Sequence, residues 1–128
     1  MRRDRNDRGS AVVEFALVLP LLLLMLLALV QVAVIARDQL VLVQAARAGA
    51  RAAAIEDSAD AVLSATRAAG AGLEPEDLVV DVTRAGTRGA PVTVRVSYRI
   101  GLVAPLAGWL LPDSVTLHAE ATMRQEFG

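Results

Sequence analysis

From Phe15 to Ala36 the chain is apolar at every position except Gln31. At about 1.5 Å of rise per helical residue that run reaches roughly 33 Å. A hydrocarbon core of about 30 Å is therefore within its span. Beyond it, Asp38 to Glu56 contains no proline, is dense in alanine and holds a single internal glycine, Gly49, so the helix is predicted to continue from about Ser10 to Ile55. Leu42, Ala46, Gly49 and Ala53 fall at helical spacing and make a narrow face of small side chains that another element can approach closely. Gln44, Arg47 and Arg51 form a polar stripe on a different side, which reads either as a solvated face or as a partner contact.

Ser58 is placed to cap a second, shorter helix, with Asp60 favourable in its first turn, Val62, Leu63 and Thr66 on one side, and Gly70 and Gly72 near its end. The period then changes to two. Leu78, Val80 and Val82 form one alternating set; Val92, Val94, Val96, Tyr98 and Ile100 form a second; Val115, Leu117, Ala119, Ala121 and Met123 form a third. The polar residues between them, such as Asp81, Arg95, Ser97, His118 and Glu120, belong on a wet face, which favours antiparallel strands with one dry side. Only the upstream helices are available to cover that side. Arg84 to Gly89 reads as a hairpin loop, and Leu102 to Pro112 as an irregular apolar connection.

The predicted class is α+β: a long amino-terminal transmembrane helix continuing into a small domain with a short second helix and a three-stranded antiparallel sheet. Its expected divisions are a cytoplasmic leader at 1–9, the span at 10–36, and an extracytoplasmic helix-on-sheet domain at 37–128. Arg2, Arg3, Arg5 and Arg8 precede the span, partly offset by Asp4 and Asp7, giving the shape of a signal anchor with a cytoplasmic amino end. Arg37, Arg47 and Arg51 follow it and weaken the charge asymmetry. A secretory signal cut after Ala36 is the rival, but the apolar run is far longer than the usual ~7–15 residues of such a signal.

Composition narrows the chemistry further. The formal net charge of -1 leaves no surplus of cations for phosphate contacts, so nucleic acid is not an expected partner. The absence of cysteine removes thiol catalysis, thiolate metal sites and disulfides. The one histidine, His118, falls on the wet side of a strand without any catalytic motif around it. Glu56, Asp57 and Asp60, and likewise Glu74, Glu76 and Asp77, lack calcium-loop spacing and read as solvated loops or helix starts. Neither a cofactor nor an enzymatic activity is expected. Trp109 is the only large aromatic anchor, suited to core packing or to an interfacial contact.

The position that asks for an explanation is Glu14. A carboxylate at the rim of a lipid-embedded helix costs free energy unless something uses it. It stands in Gly9-Ser10-Ala11-Val12-Val13-Glu14-Phe15, directly before the apolar run. That leader glycine, the small residue after it, the acid, the aromatic and the unbroken span match the prepilin processing pattern of the type IV pilin superfamily. More specifically, Ala11 to Leu22 followed by Ala45-Ala46-Arg47-Ala48-Gly49-Ala50-Arg51 resembles TadE-like proteins of tight-adherence (Tad) pilus systems. The resemblance covers about the first 55 residues.

The resemblance implies a minor pilin or pseudopilin serving pilus assembly, adhesion or secretion in a bacterial inner membrane. It also implies cleavage between Gly9 and Ser10 by a prepilin peptidase, with other pilin-like subunits, Tad membrane platform proteins and the lipid bilayer as partners. Gly9 is expected to leave the backbone extended for that peptidase. Glu14 would then pair with the new amino group at Ser10 of a neighbouring subunit, setting axial register. Phe15, Pro20, Gln31 and Gly49 are the candidate packing or kink positions. For Pro20 the alternatives are a tolerated kink and a place for local bending; for Gln31 they are a bond to a neighbouring helix and a tolerated amide. A plain signal-anchored envelope protein with a small binding domain is the alternative function.

Overall fold

The computed structural model describes residues 4–102 and 113–127. The elements follow in the order α1 (Asp4–Ile55), α2 (Ala59–Ala69), a single 3-10 turn (Pro75–Asp77), β1 (Leu78–Arg84), β2 (Pro91–Gly101) and β3 (Ser114–Arg124). The chain divides into two compact units, Met1–Val34 and Ile35–Gly128, described separately below. The α+β class is as the hydrophobic pattern predicts. Most of the apolar connection ahead of β3, with Trp109 in it, lies outside the described residues.

In the first unit α1 is long and apolar enough to cross a membrane, and its most apolar 18 residues include no buried one. Leu17, Leu21 and Leu29 stand open around it, as a lipid-facing surface requires. Pro20 sits inside the helix, which continues through it. The backbone is already helical at Gly9 and at Ser10, so the extended backbone expected there is corrected. The hydrogen bonds of a helical turn outweigh the roughly 1 kcal/mol that glycine costs relative to alanine in a helix.

In the second unit the last five turns of α1 are packed on two sides. Leu42, Ala45, Ala46, Ala50 and Ala53 are fully buried, and with Val62 of α2 and Val92, Val94 and Val96 of β2 they form one core. Small side chains let the helices come close. A methyl group placed on Gly49 would collide with Thr66 Oγ1 and stand 3.1 Å from Val94 Cγ1, while one on Gly70 would stand 3.6 Å from Ala45 Cβ. The pairs 49/66 and 45/70 run in opposite senses along the two helices, so α2 returns antiparallel beside α1.

Ser58 caps α2 by accepting from Ala61 N at 3.3 Å, and Asp60 stands in the first turn, as predicted. Ser58→Ala should therefore cost about 1 kcal/mol, measurable as a lower denaturation midpoint with an unchanged slope in urea. Thr66, fully buried, satisfies its hydroxyl by donating to Val62 O at 2.7 Å.

The sheet is antiparallel with β2 in the centre. Val96 pairs with Val80 on one side and Ala119 on the other, fixing a register in which the three apolar sets share one face. Val82 departs from expectation: it is 37% exposed rather than buried. The helical layer covers the central strand fully but only part of the flanking ones, and Val82 lies near the end of β1. At that end Arg84 reaches 3.0 Å from Asp57, donates to Glu56 O and lies over the Phe127 ring. It holds the loop between the helices, the first strand and the carboxy-terminal segment together.

Candidate functional site

Glu14 and Ser10 are both exposed on α1, one helical turn apart. Helical side chains lean toward the amino end, so Glu14 reaches back over the preceding turn. There the Ser10 hydroxyl donates to Glu14 Oε1 at 3.3 Å. The carboxylate is thus held toward the Gly9–Ser10 peptide, where any new amino group would form. Gly9 has open space where a side chain would project. Phe15 and the apolar residues around it are exposed, and Gln31 is half-buried.

The other candidates lie in the second unit. Gly49 is buried where α1 meets α2 and β2. Arg47 and Arg51 are exposed, on the side of α1 opposite its packed face. No acid stands three or four residues from either of them on the helix. Neither forms an ion pair among the described residues. Trp109 is outside the described residues.

Two features escape a reading of the sequence. Asp38 is 7% exposed, although it is the second residue after the apolar run; its carboxylate is met by Arg37 at 3.2 Å. A buried carboxylate without such a partner would be costly. The second feature is a concavity of about 420 Å³ on the open face of the sheet, lined by Glu76, Asp77, Val79, Ser97, Arg99 and His118 among others. Strand register assembles it: Val79 stands opposite Ser97, and Ser97 opposite His118. Ser97 Oγ and His118 Nδ1 are 3.1 Å apart, and Glu74 N donates to the Tyr98 hydroxyl at 3.3 Å, tethering the acidic turn to the sheet.

Farther along this face Arg95 donates to Glu120 Oε2 at 2.7 Å and 3.1 Å through two nitrogens. That hydrogen bond, and then the charge of the same carboxylate, raise the Arg95 guanidinium above its ordinary value. Thr93 and Thr122 share a hydrogen bond of 2.8 Å beside it. These cross-strand pairs are internally satisfied and hold register. Among the described residues no group of three or more His, Asp or Glu is disposed to hold a metal ion.

Among the described residues one apolar helix is able to span a membrane; it carries a carboxylate in its early exposed turns and leads into a small helix-on-sheet unit, an arrangement consistent with a membrane-anchored protein. Residues 9–51, about a third of the chain, match the family model described as TadE-like protein. The match begins at Gly9, takes in Glu14 and the apolar run, and ends at Arg51. It points to a Tad pilus-associated protein with an amino-terminal hydrophobic helix. No curated protein and no solved structure matches the chain.

Proposed function

We infer that the chain is a minor pilin or pseudopilin of a Tad-type pilus or secretion system, acting by assembly and not by catalysis. In this reading it is held as a precursor in the inner membrane with its amino end in the cytoplasm and its helix-on-sheet unit outside. A prepilin peptidase cuts between Gly9 and Ser10; Tad platform proteins and other pilin-like subunits then receive the trimmed chain. The observation that carries the reading is the family match over residues 9–51, which opens at the proposed cleavage site.

The local geometry supports it. Because Gly9 lies in a helix, the peptidase must first unwind a turn, and glycine makes that turn the least costly one to open. Cleavage frees an ammonium at Ser10, one turn from a carboxylate that already leans toward it. An isolated acid near lipid is expensive, whereas a paired one is much less so. In an assembly the same carboxylate can meet the ammonium of an adjacent subunit, which fixes how far one helix slides along the next.

Mass spectrometry of the chain from cells with an active peptidase should find Ser10 as the amino terminus. Gly9→Val, which adds a branched side chain at the bond to be cut, should leave Met1 forms to accumulate. A wild-type chain that keeps Met1 under those conditions would instead favour an uncleaved signal-anchored envelope protein.

A further inference from the structure

We propose that the end of the sheet where β2 passes to β3 rests in the bilayer surface that α1 leaves at Ala36, giving the helix-on-sheet unit a second, lipid-facing contact. The inference needs α1 to span a membrane; it does not need the chain to be processed or assembled.

Two bonds between α1 and the third strand set the level. Gln39 Nε2 donates to His118 O at 3.0 Å, and Glu126 N donates to Ala54 O at 2.8 Å. The stretch from Gln39 to Ala54 rises about 22 Å along the helix, and that from His118 to Glu126 extends about 26 Å. β3 therefore runs beside α1 and in the same sense. Followed backwards, β3 continues from His118 to Ser114, which pairs with Gly101, and Leu102 N still donates to Asp113 O at 3.0 Å. The stretch from His118 to Ser114 carries the sheet roughly 13 Å back along α1. Gln39 stands only about 4.5 Å past Ala36, so the end of the sheet reaches beyond the level at which the apolar run stops. Ile35, inside that run, already packs against the core.

Composition separates the two ends of the sheet. From Ile100 to Pro112 the chain carries no charge, and it includes Trp109, a residue type enriched at membrane interfaces. Residues 103–112 are outside the described ones, but the bond between Leu102 and Asp113 fixes where they leave the sheet and return to it. The hairpin at the other end, between β1 and β2, is polar and holds Arg84, Thr87 and Arg88. Water matches that hairpin; lipid, lying at the same level, matches the uncharged end. The ionised groups nearest this end are mixed in sign: Arg37 and Arg99 stand with Glu76, Asp77 and Asp113, all exposed. An anionic surface is therefore not favoured, and a zwitterionic one, offering phosphate and ammonium together, fits. Two contacts with the bilayer, unlike one, fix the rotation of the unit about α1.

The chain has no cysteine, so single introduced ones report cleanly. Ser114, at the end of the sheet, and Thr87, in the far hairpin, are both exposed. Full-length Ser114→Cys and Thr87→Cys chains, each carrying a small fluorophore, are reconstituted in phosphatidylcholine liposomes. A nitroxide placed shallowly on the lipid acyl chain should quench the label at 114 at least about threefold more than the label at 87, since an interfacial group sits within roughly 10 Å of the acyl boundary. Leu102→Asp, which puts a charge at the sheet end, should bring the two labels closer together.

Labels quenched alike overturn the proposal. So does a label at 114 shielded from both the lipid nitroxide and aqueous iodide, which would mean that protein covers this end. Flotation with the liposomes is read in the same samples. Chains that float with their labels quenched alike sink the second contact alone, and chains that do not float sink the anchor and the contact together.

Discussion

Replacing Gly49 by valine is expected to destabilise the helix-on-sheet unit by about 3 kcal/mol, the upper end of ordinary overpacking. The position has no room for a side chain: a Cβ collides with Thr66 Oγ1 and meets Val94 Cγ1 at 3.1 Å. Neither neighbour moves freely. Thr66 is fully buried with its hydroxyl committed to Val62 O, and Val94 sits fully buried in the central strand. Alanine is the gentler probe, because a gain of roughly 1 kcal/mol in helix propensity offsets part of its clash.

Urea denaturation of the full chain in detergent, followed by protection of the sheet from protease, gives the measurement. Thr66→Ala combined with Gly49→Ala removes the colliding hydroxyl and should recover part of the loss, a non-additive result that a generally fragile helix would not give. If Gly49→Val left the midpoint unchanged, the close approach of α1, α2 and β2 would be wrong.

The same glycine shows what a sequence discloses. The spacing of Leu42, Ala46, Gly49 and Ala53 announces a face that something approaches closely, because only small side chains recur there. It does not say that two elements approach, one from each side. Strand alternation is equally open to reading for β2, whose inward residues are all buried, since a central strand has neighbours on both edges and a cover above. For β1 the same alternation overreaches at Val82, because period-two patterning reports which face a residue shares and not how far the helical cover extends.

Glu14, Gly9 and the arginine stripe are all legible as residues. Their surroundings are less so. The leader reads as polar and separate, yet helical hydrogen bonding runs back through it to Asp4. The concavity was not legible at all: Glu76 and Asp77 look like a solvated loop and His118 like an isolated strand histidine. They come together only through pairings between β1, β2 and β3, and pairing partners leave no mark in a single sequence.

Glu14→Gln is the substitution expected to separate charge from shape at the amino edge. Glutamine keeps the length of the side chain and can still accept from the Ser10 hydroxyl, which now donates to Glu14 at 3.3 Å. What it lacks is the negative charge that would neutralise a terminal ammonium after cleavage. Membrane insertion should be unaffected or improved, because a charged residue inside a span costs up to about 3 kcal/mol on insertion scales. Cleavage should also persist, since the bond between Gly9 and Ser10 is untouched. Incorporation into filaments or complexes with other pilin-like subunits should fall at least about tenfold, the effect of losing a charge-assisted contact worth some 1.4 kcal/mol or more in low dielectric. Glu14→Ala should behave the same way, and Glu14→Asp, charged but shorter, should retain part of the function. Co-purification of tagged subunits and quantification of surface filaments provide the readout, with amino-terminal mass spectrometry as the control for processing. Were the glutamine chain to assemble as well as wild type, the carboxylate's role would reduce to its hydrogen bond with Ser10. Axial register would then have to come from side-chain packing along the apolar helix.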